Sequence, residues 1–220
     1  MDPTRIRSIL SVITTFLIGS VPFSYLIARW RGVNIRERGE GNVGARNVYH
    51  VVGASWGAAE VLDVAKGVGV YFVARAMGVS TTALLICGLV APLGHNFSPF
   101  LHFRGGKGVA TTMGFLFAYL PFSTAIGALV VIIAYIITRD MYKALVFGIP
   151  GVVVLPPLFG APLWTVLYVL CLFLLLALKK TIDASHERAV WARDPWRAGR
   201  PGFHNAEADD EAEAREVRQA

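Results

Sequence analysis

The 220-residue sequence is 55% hydrophobic and only 16% charged, with a mean hydropathy of +0.53, which excludes an ordinary soluble domain and a disorder-dominated chain. The formal net charge is +6, but six acidic residues against two arginines at positions 205–220 leave the preceding chain at +10. This positive charge lies between apolar runs, which favours anionic lipid head groups or phosphorylated substrates over nucleic acid as partners.

Seven apolar runs have about the length needed to cross roughly 30 Å of hydrocarbon, which predicts an all-α, polytopic membrane protein. The spans are predicted at 8–28, 55–76, 81–101, 109–120, 122–138, 142–160 and 162–178. The fourth is short, so six spans would remain if it is re-entrant. The sixth contains Pro150, Pro156 and Pro157, which predicts a kink or a break. The first could also be a signal peptide, although no clear small-residue cleavage site follows it.

The distribution of Lys and Arg predicts the orientation of these spans. With the N-terminus outside, nine basic residues lie in or beside the first, third and fifth loops, which face inward, against Arg75 alone beside the outward loops. The C-terminus then faces the cytoplasm, as expected of a multi-pass plasma-membrane protein. We therefore predict a transmembrane domain at 1–180, a basic cytoplasmic extension at 181–204 and an acidic, disordered tail at 205–220.

The first inward loop, residues 32–47, is rich in glycine, asparagine and arginine. Glycine allows backbone N–H groups to turn toward an anion, and asparagine and arginine add side-chain donors. A tight solvated loop that merely follows the positive-inside rule is the alternative interpretation. The candidate ligand-binding residues in this loop are Gly41, Asn42, Gly44, Arg46 and Asn47.

Three charged residues, Glu60, Asp63 and Lys66, follow one another at a spacing of three in an otherwise apolar helix. This spacing places neighbours on one face, and charges within a membrane are expensive unless they are paired or face water. The pattern fits either a substrate site or a structural ion pair between Asp63 and Lys66. A transporter or channel is a third possibility, but the sequence has no internal repeat that would support it.

A basic, glycine-rich turn at Arg104–Gly108 leads directly into the fourth predicted span, shortly after His95 and Asn96. Helix N-terminal amides, bare glycine backbone and a lysine together form a phosphate cradle. The spacing does not fit a Walker A loop, and a plain turn is the alternative. The candidate residues are Arg104, Gly105, Gly106, Lys107 and Gly108.

These motifs, in this order and spacing, resemble one family, the bacterial acyl-phosphate:glycerol-3-phosphate acyltransferases, which are small integral membrane enzymes with seven spans. The resemblance runs from about Gly19 to Gly114. It is carried by Gly19–Phe23, Asn34–Asn47, Leu62–Gly67, Gly94 with His95, and Phe103–Thr111.

The resemblance implies transfer of a fatty acyl group from acyl phosphate to glycerol 3-phosphate, giving lysophosphatidic acid and phosphate at a site facing the cytoplasm. It implies no acyl-CoA, cofactor or metal, and membrane lipids are the remaining expected partners. Asn42, His95 and Lys107 would be catalytic. The substrate-binding residues would be Gly41, Gly44, Arg46, Asn47, Asp63, Lys66, Arg104, Gly105, Gly106 and Gly108.

The sequence departs from the family pattern in the first loop. Glu40 stands where the family has a serine, His50 where it has an arginine, and Arg46 where it has a threonine. A carboxylate at position 40 would repel anionic substrates unless Arg46 pairs with it, and we predict such a pair. The alternatives to the family activity are a paralogue with another acceptor, or a non-catalytic membrane protein that binds acyl phosphate or lipid.

Overall fold

The structure is a computed structural model and describes residues 2–53 and 55–193. Within this part of the chain, every regular element is helical, which confirms the predicted all-α class. The α-helices are α1 (Pro3–Ser20), α2 (Phe23–Trp30), α3 (Ala45–Val52), α4 (Trp56–Ala76), α5 (Thr81–Asn96), α6 (Val109–Tyr119), α7 (Pro121–Thr138), α8 (Met141–Val154) and α9 (Trp164–Arg193). Two short 3-10 helices are formed by Pro99–Leu101 and Pro156–Phe159.

The described chain divides into two compact units. One comprises residues 2–21 and 63–182, and the other comprises the described residues of 22–62 and 183–193. In the first unit α1 packs on α5, α7 packs on α8, and α6 lies beside both α5 and α7. In the second unit α2 contacts α3.

The predicted cytoplasmic extension is partly described. Residues 181–193 continue α9 without a break, so the start of the extension is helical. The rest of it, and the predicted acidic tail at 205–220, lie outside the described residues.

Four helical segments of the described chain are long and apolar enough to cross a membrane. They are Pro3–Trp30, Thr81–Leu101, Pro121–Thr138 and Trp164–Arg193. The helices over the fourth and sixth predicted spans, α6 and α8, are apolar but shorter. Helix α4 has 21 residues, but four of them, Glu60, Asp63, Lys66 and Arg75, are charged.

The first predicted span is interrupted where we expected one continuous helix. Pro22 has no backbone N–H and disfavours the helical conformation of the residue before it. Val21 is accordingly extended, with φ −61° and ψ 117°, and it separates α1 from α2. Such a break removes helical partners from nearby carbonyl groups, and these need other donors when they are buried.

The prolines of the sixth predicted span act at its end. Helix α8 continues through Pro150 and ends at Val154. Pro156 and Pro157 then begin a 3-10 helix. The expected break therefore falls at the proline pair, whose ring constraints cannot continue the α-helix.

Small residues allow the helices of the first unit to approach closely. A Cβ added at Gly67 of α4 would lie 2.0 Å from the Thr111 carbonyl oxygen of α6, and one at Gly19 of α1 would lie 2.1 Å from the Ala91 carbonyl oxygen of α5. Such contacts bring backbones together where lipid gives no hydrophobic drive for helix association. The buried core beside them includes Val70, Leu84, Cys87, Phe115, Leu116, Val152, Tyr168, Val169 and Leu172.

Candidate functional site

The structure brings Asp63 and Lys66 of α4 together with His95 of α5, and we refer to these three residues as the Lys66 cluster. The ammonium of Lys66 lies 2.8 Å from Asp63 Oδ1 and 2.7 Å from His95 Nδ1. It also donates a 2.9 Å hydrogen bond to the Val21 carbonyl at the end of α1. All three side chains are buried, with at most 7% of each residue exposed.

These contacts fix the tautomer of His95. An ammonium only donates hydrogen bonds, so Nδ1 of His95 must accept the bond from Lys66. In a neutral imidazole the proton then lies on Nε2. Because Nδ1 is engaged by Lys66, Nε2 is the nitrogen of His95 that carries the N–H group.

The glycine-rich turn lies directly against the end of α5. Gly105 donates its backbone N–H to the Asn96 carbonyl at 3.0 Å, and a Cβ there would lie 1.9 Å from the His95 carbonyl oxygen. Gly108 adopts φ +78°, and its Cβ position is 2.7 Å from Asn96 Oδ1. The backbone of the turn is therefore in direct contact with α5, and only glycine fits at these two positions.

Polar groups at this turn retain unfilled hydrogen-bonding capacity. Asn96 is fully buried, and neither its side-chain nitrogen nor its oxygen has a partner among the described residues. The hydroxyls of Thr111 and Thr112, in the first turn of α6, are also buried without a described partner. Buried polar groups are normally satisfied, and the first amides of a helix favour negative charge. The arrangement is suited to an anion that accepts hydrogen bonds.

In the second unit, the side chain of Asn47 organises the first loop. Its Nδ2 donates to the carbonyl groups of Ile35, Arg38 and Asn42, each at 3.0 Å. Its Oδ1 accepts from the backbone N–H of Glu40 at 3.0 Å. Asn47 is fully buried and its amide is engaged within the loop. The candidate ligand residue is therefore bonded to the backbone that surrounds it.

The predicted ion pair between Glu40 and Arg46 is present. Glu40 is flanked by Gly39 and Gly41, at φ +58° and +63°, a backbone region that favours glycine. The side chain of Glu40 is 12% exposed and that of Arg46 is 32% exposed. Asn42 is 9% exposed, and its Oδ1 has no described partner. The charge of Glu40 is thus offset by its neighbour, and the side-chain oxygens of Asn42 and of Asn34 in the same loop are buried without a described partner.

The sequence-predicted site residues fall into two groups, one in each unit. Arg104 is exposed and Lys107 is half-buried, while Gly105, Gly106 and Gly108 are buried. Sequence reasoning missed the carbonyl of Val21, although the proline that follows it was a visible signal. Within the described residues, no group of three or more His, Cys, Asp or Glu side chains is arranged to hold a metal ion.

The stability of the fold should depend on pH through His50 of α3. Burial lowers the pKa of His50 from 6.5 to about 4, with a further contribution from the charge of Arg46. Between these two values the unfolded chain binds a proton that the folded chain excludes, so stability is lost as the pH falls. The unfolding midpoint of the wild type should therefore drop more steeply than that of His50→Gln between about pH 7 and about pH 4.5. Parallel curves would contradict this assignment.

Comparison with known proteins gives consistent matches. The family profile described as glycerol-3-phosphate acyltransferase matches residues 9–187. The glycerol-3-phosphate acyltransferase of Thermus thermophilus is 41% identical over 173 residues, covering 76% of this chain and 84% of the relative. Glycerol-3-phosphate acyltransferase 1 of Deinococcus radiodurans is 46% identical over 112 residues, covering 50% of this chain and 56% of the relative.

A solved structure is similar in fold as well. The crystal structure of PlsY (YgiH), described as an integral membrane glycerol 3-phosphate acyltransferase in its glycerol 3-phosphate form, aligns with a TM-score of 0.73 and 28% identity. The alignment covers 87% of this chain and 96% of that one.

Proposed function

Because this chain belongs to the glycerol-3-phosphate acyltransferase family, we propose that it is an integral membrane enzyme that transfers a fatty acyl group from acyl phosphate to glycerol 3-phosphate. The products are lysophosphatidic acid and inorganic phosphate. The observation that carries the proposal is the glycine-rich turn, which is held by backbone contact against His95 and Asn96 beside buried polar groups with free capacity. Such a site suits a phosphoryl group.

The reaction requires positioning more than strong acid or base chemistry. A hydroxyl oxygen of glycerol 3-phosphate forms a bond to the acyl carbonyl carbon, the bond from that carbon to the phosphate oxygen breaks, and phosphate leaves with the electron pair. The leaving phosphate can take up the hydroxyl proton. An acyl phosphate is already activated, so orientation and stabilisation of charge can supply the acceleration.

In the first unit, we assign the donor phosphate to the glycine-rich turn. Lys107 and the first amides of α6 would bind its oxygens, and His95 would donate from Nε2. Asp63 and Lys66 would position the imidazole, since their contacts with it and with each other occupy Lys66. Lys66 would then act through His95 and would not touch the substrate.

In the second unit, we assign recognition of the acceptor to the first loop. Asn42 would accept a hydrogen bond from a hydroxyl group of the acceptor with its Oδ1, whereas Asn47 would hold the backbone of the loop in shape. Arg46 offsets the charge of Glu40, so the carboxylate in place of the family serine need not repel glycerol 3-phosphate. This pairing favours the family activity over a changed acceptor or a loss of catalysis.

Membership of this family also supports a plasma-membrane topology of seven spans. The N-terminus would lie outside, and the C-terminus and the site would face the cytoplasm. The distribution of basic residues supports the orientation. In this topology the four long apolar helices would cross the membrane together with α4, α6 and α8. Glu60, Asp63 and Lys66 then lie within or near the membrane, where the Lys66 cluster pairs two of them.

The direct test is turnover of purified protein in lipid with palmitoyl phosphate and labelled glycerol 3-phosphate. We expect the wild type to form lysophosphatidate and Lys107→Ala to lose about 100-fold or more, since the lysine would bind the phosphate that carries the developing charge. Arg139→Ala, which removes a basic residue from a loop outside the proposed site, should keep wild-type activity.

Two results would count against the proposal. Wild-type protein that turns over an acyl-CoA but not palmitoyl phosphate would overturn the donor. Full activity in Lys107→Ala would contradict the assignment of the donor phosphate to the glycine-rich turn, even if the reaction itself is confirmed.

A further inference from the structure

Val190 lies in the last part of α9, in the stretch 183–193 that belongs to the second unit. Among the described residues of this stretch it alone is fully buried, with 0% of its surface exposed, whereas its neighbours Ala189 and Trp191 are exposed. A valine gains from burial only where another segment covers it. The covering segment therefore indicates what this part of α9 does.

Val190 packs against Gly41 of the first loop. A Cβ added at Gly41 would lie 2.9 Å from Cγ2, 3.0 Å from Cβ and 3.3 Å from Cγ1 of Val190. The side chain of Val190 thus occupies the space that a side chain at Gly41 would need. Because valine is branched at Cβ, its two γ carbons are held in one preferred rotamer and present a stiff surface to the loop.

Hydrogen bonds hold the backbone of the loop before and after Gly41. The side chain of Asn47 bonds to the backbone N–H of Glu40 and to the carbonyl of Asn42, each at 3.0 Å. Gly41 itself donates its N–H to the Arg38 carbonyl at 2.9 Å. These bonds fix the internal shape of the loop, whereas the packing on α9 fixes where this part of the loop lies.

We propose that Val190 is a positioning residue for the acceptor, which holds Asn42 in place by packing on Gly41. Asn42 follows Gly41 directly, and its Oδ1 is buried without a described partner. A misplacement of about 1 Å can cost on the order of 100-fold in turnover, so a packing contact that fixes a substrate-binding loop has a measurable effect. This role of Val190 rests on the proposed function, which assigns glycerol 3-phosphate to the first loop.

The experiment compares Val190→Ala with two reference variants in lipid nanodiscs. Val190→Ala removes both γ carbons that approach Gly41, whereas Val190→Ile keeps both. The matched control is Val154→Ala, which makes the same truncation at the end of α8, where the valine is 61% exposed. Unfolding midpoints check that each variant is folded, and Val190→Cys, which keeps one γ atom, replaces Val190→Ala if the latter is not.

Two measurements are made on each protein. Hydrogen exchange of the backbone amides of residues 38–42 reports the order of the loop and needs no substrate. Steady-state kinetics reports KM separately for glycerol 3-phosphate and for palmitoyl phosphate.

We expect Val190→Ala to speed exchange at the Glu40 and Gly41 amides about 10-fold or more, because the loop opens more often once its packing is lost. KM for glycerol 3-phosphate should rise about 5-fold to 20-fold, since only a fraction of the molecules would hold the loop in its binding position. KM for palmitoyl phosphate should stay within about 2-fold of the wild type, because the donor is assigned to the first unit. Val190→Ile and Val154→Ala should match the wild type in both measurements.

Unchanged exchange in Val190→Ala would overturn the inference, because the order of the loop would then not depend on this contact. Equal increases in KM for the two substrates would also overturn it, since Val190 would then support the fold in general. Failure of the proposed function is distinguishable, because it would appear as wild-type protein that forms no lysophosphatidate. The exchange measurement would still decide whether Val190 orders the loop.

Discussion

Lys66→Met is expected to destabilise the protein by about 3–5 kcal/mol and to reduce turnover by about 100-fold or more. The substitution leaves the carboxylate of Asp63 buried without the ammonium that lies 2.8 Å away. It also removes the donors to the Val21 carbonyl and to His95 Nδ1. The free energy of unfolding should fall because Asp63 loses its ion-pair partner. Turnover should fall because the side chain of His95 is no longer held in one orientation. Both are measured on purified protein, by thermal unfolding and by acyl transfer.

The double variant Asp63→Leu, Lys66→Met separates these two effects. Removing both charges should restore most of the stability, because a buried pair replaced by apolar groups costs little. Activity should stay low, since nothing then donates to His95 Nδ1. A single Lys66→Met variant with wild-type turnover would show that the cluster does not position His95.

Gly105→Ala is expected to reduce turnover by about 100-fold as well, with destabilisation of about 1–3 kcal/mol. The added methyl group would lie 1.9 Å from the His95 carbonyl oxygen. Since this atom belongs to the backbone, no side-chain rotation relieves the clash, and the turn must move away from α5. Lys107 and the start of α6 would move with it. The variant should still fold correctly, and its turnover of acyl phosphate should be reduced.

Gly69→Ala is the matched control for this substitution. It lies in α4, and apart from the adjacent residues and the nearby backbone of α4 itself, a Cβ there meets no atom of the described residues within 4 Å. Alanine is favoured over glycine inside a helix, so this variant should be as stable as the wild type or slightly more so. If Gly69→Ala and Gly105→Ala lose activity equally, then the close packing of the turn is not what holds the site together.

Much of the fold and the grouping of residues could be predicted from the sequence. Apolar run lengths identified the helical membrane class. The spacing of Asp63 and Lys66 left an ion pair between them as one of two interpretations, because residues three apart share a helix face, and the structure contains this pair. The pairing of Glu40 with Arg46 followed from the cost of an uncompensated carboxylate. In each case the physical constraint is local, so the sequence alone carries it.

What could not be predicted depends on contacts between distant segments. His95 is 29 positions from Lys66, and its hydrogen bond to Lys66 has no signal in the spacing of either motif. The Val21 carbonyl becomes an acceptor only because the helix breaks before Pro22 and then meets α4. Similarly, Val190 is the only branched aliphatic residue of 183–193, so it forms no periodic apolar pattern. Only the packed structure shows that it is buried against the first loop.

The single amide of Asn47 also affects how this protein can change over evolutionary time. Four backbone positions of the first loop, at Ile35, Arg38, Glu40 and Asn42, depend on one side chain for their arrangement. Side chains at such positions can be exchanged without rebuilding the loop, because the backbone is not held by the side chains that vary. The glutamate at position 40, where the resemblance leads one to expect serine, illustrates this tolerance. The shape of the loop and the charge that it carries are thus assigned to different residues of the same short segment.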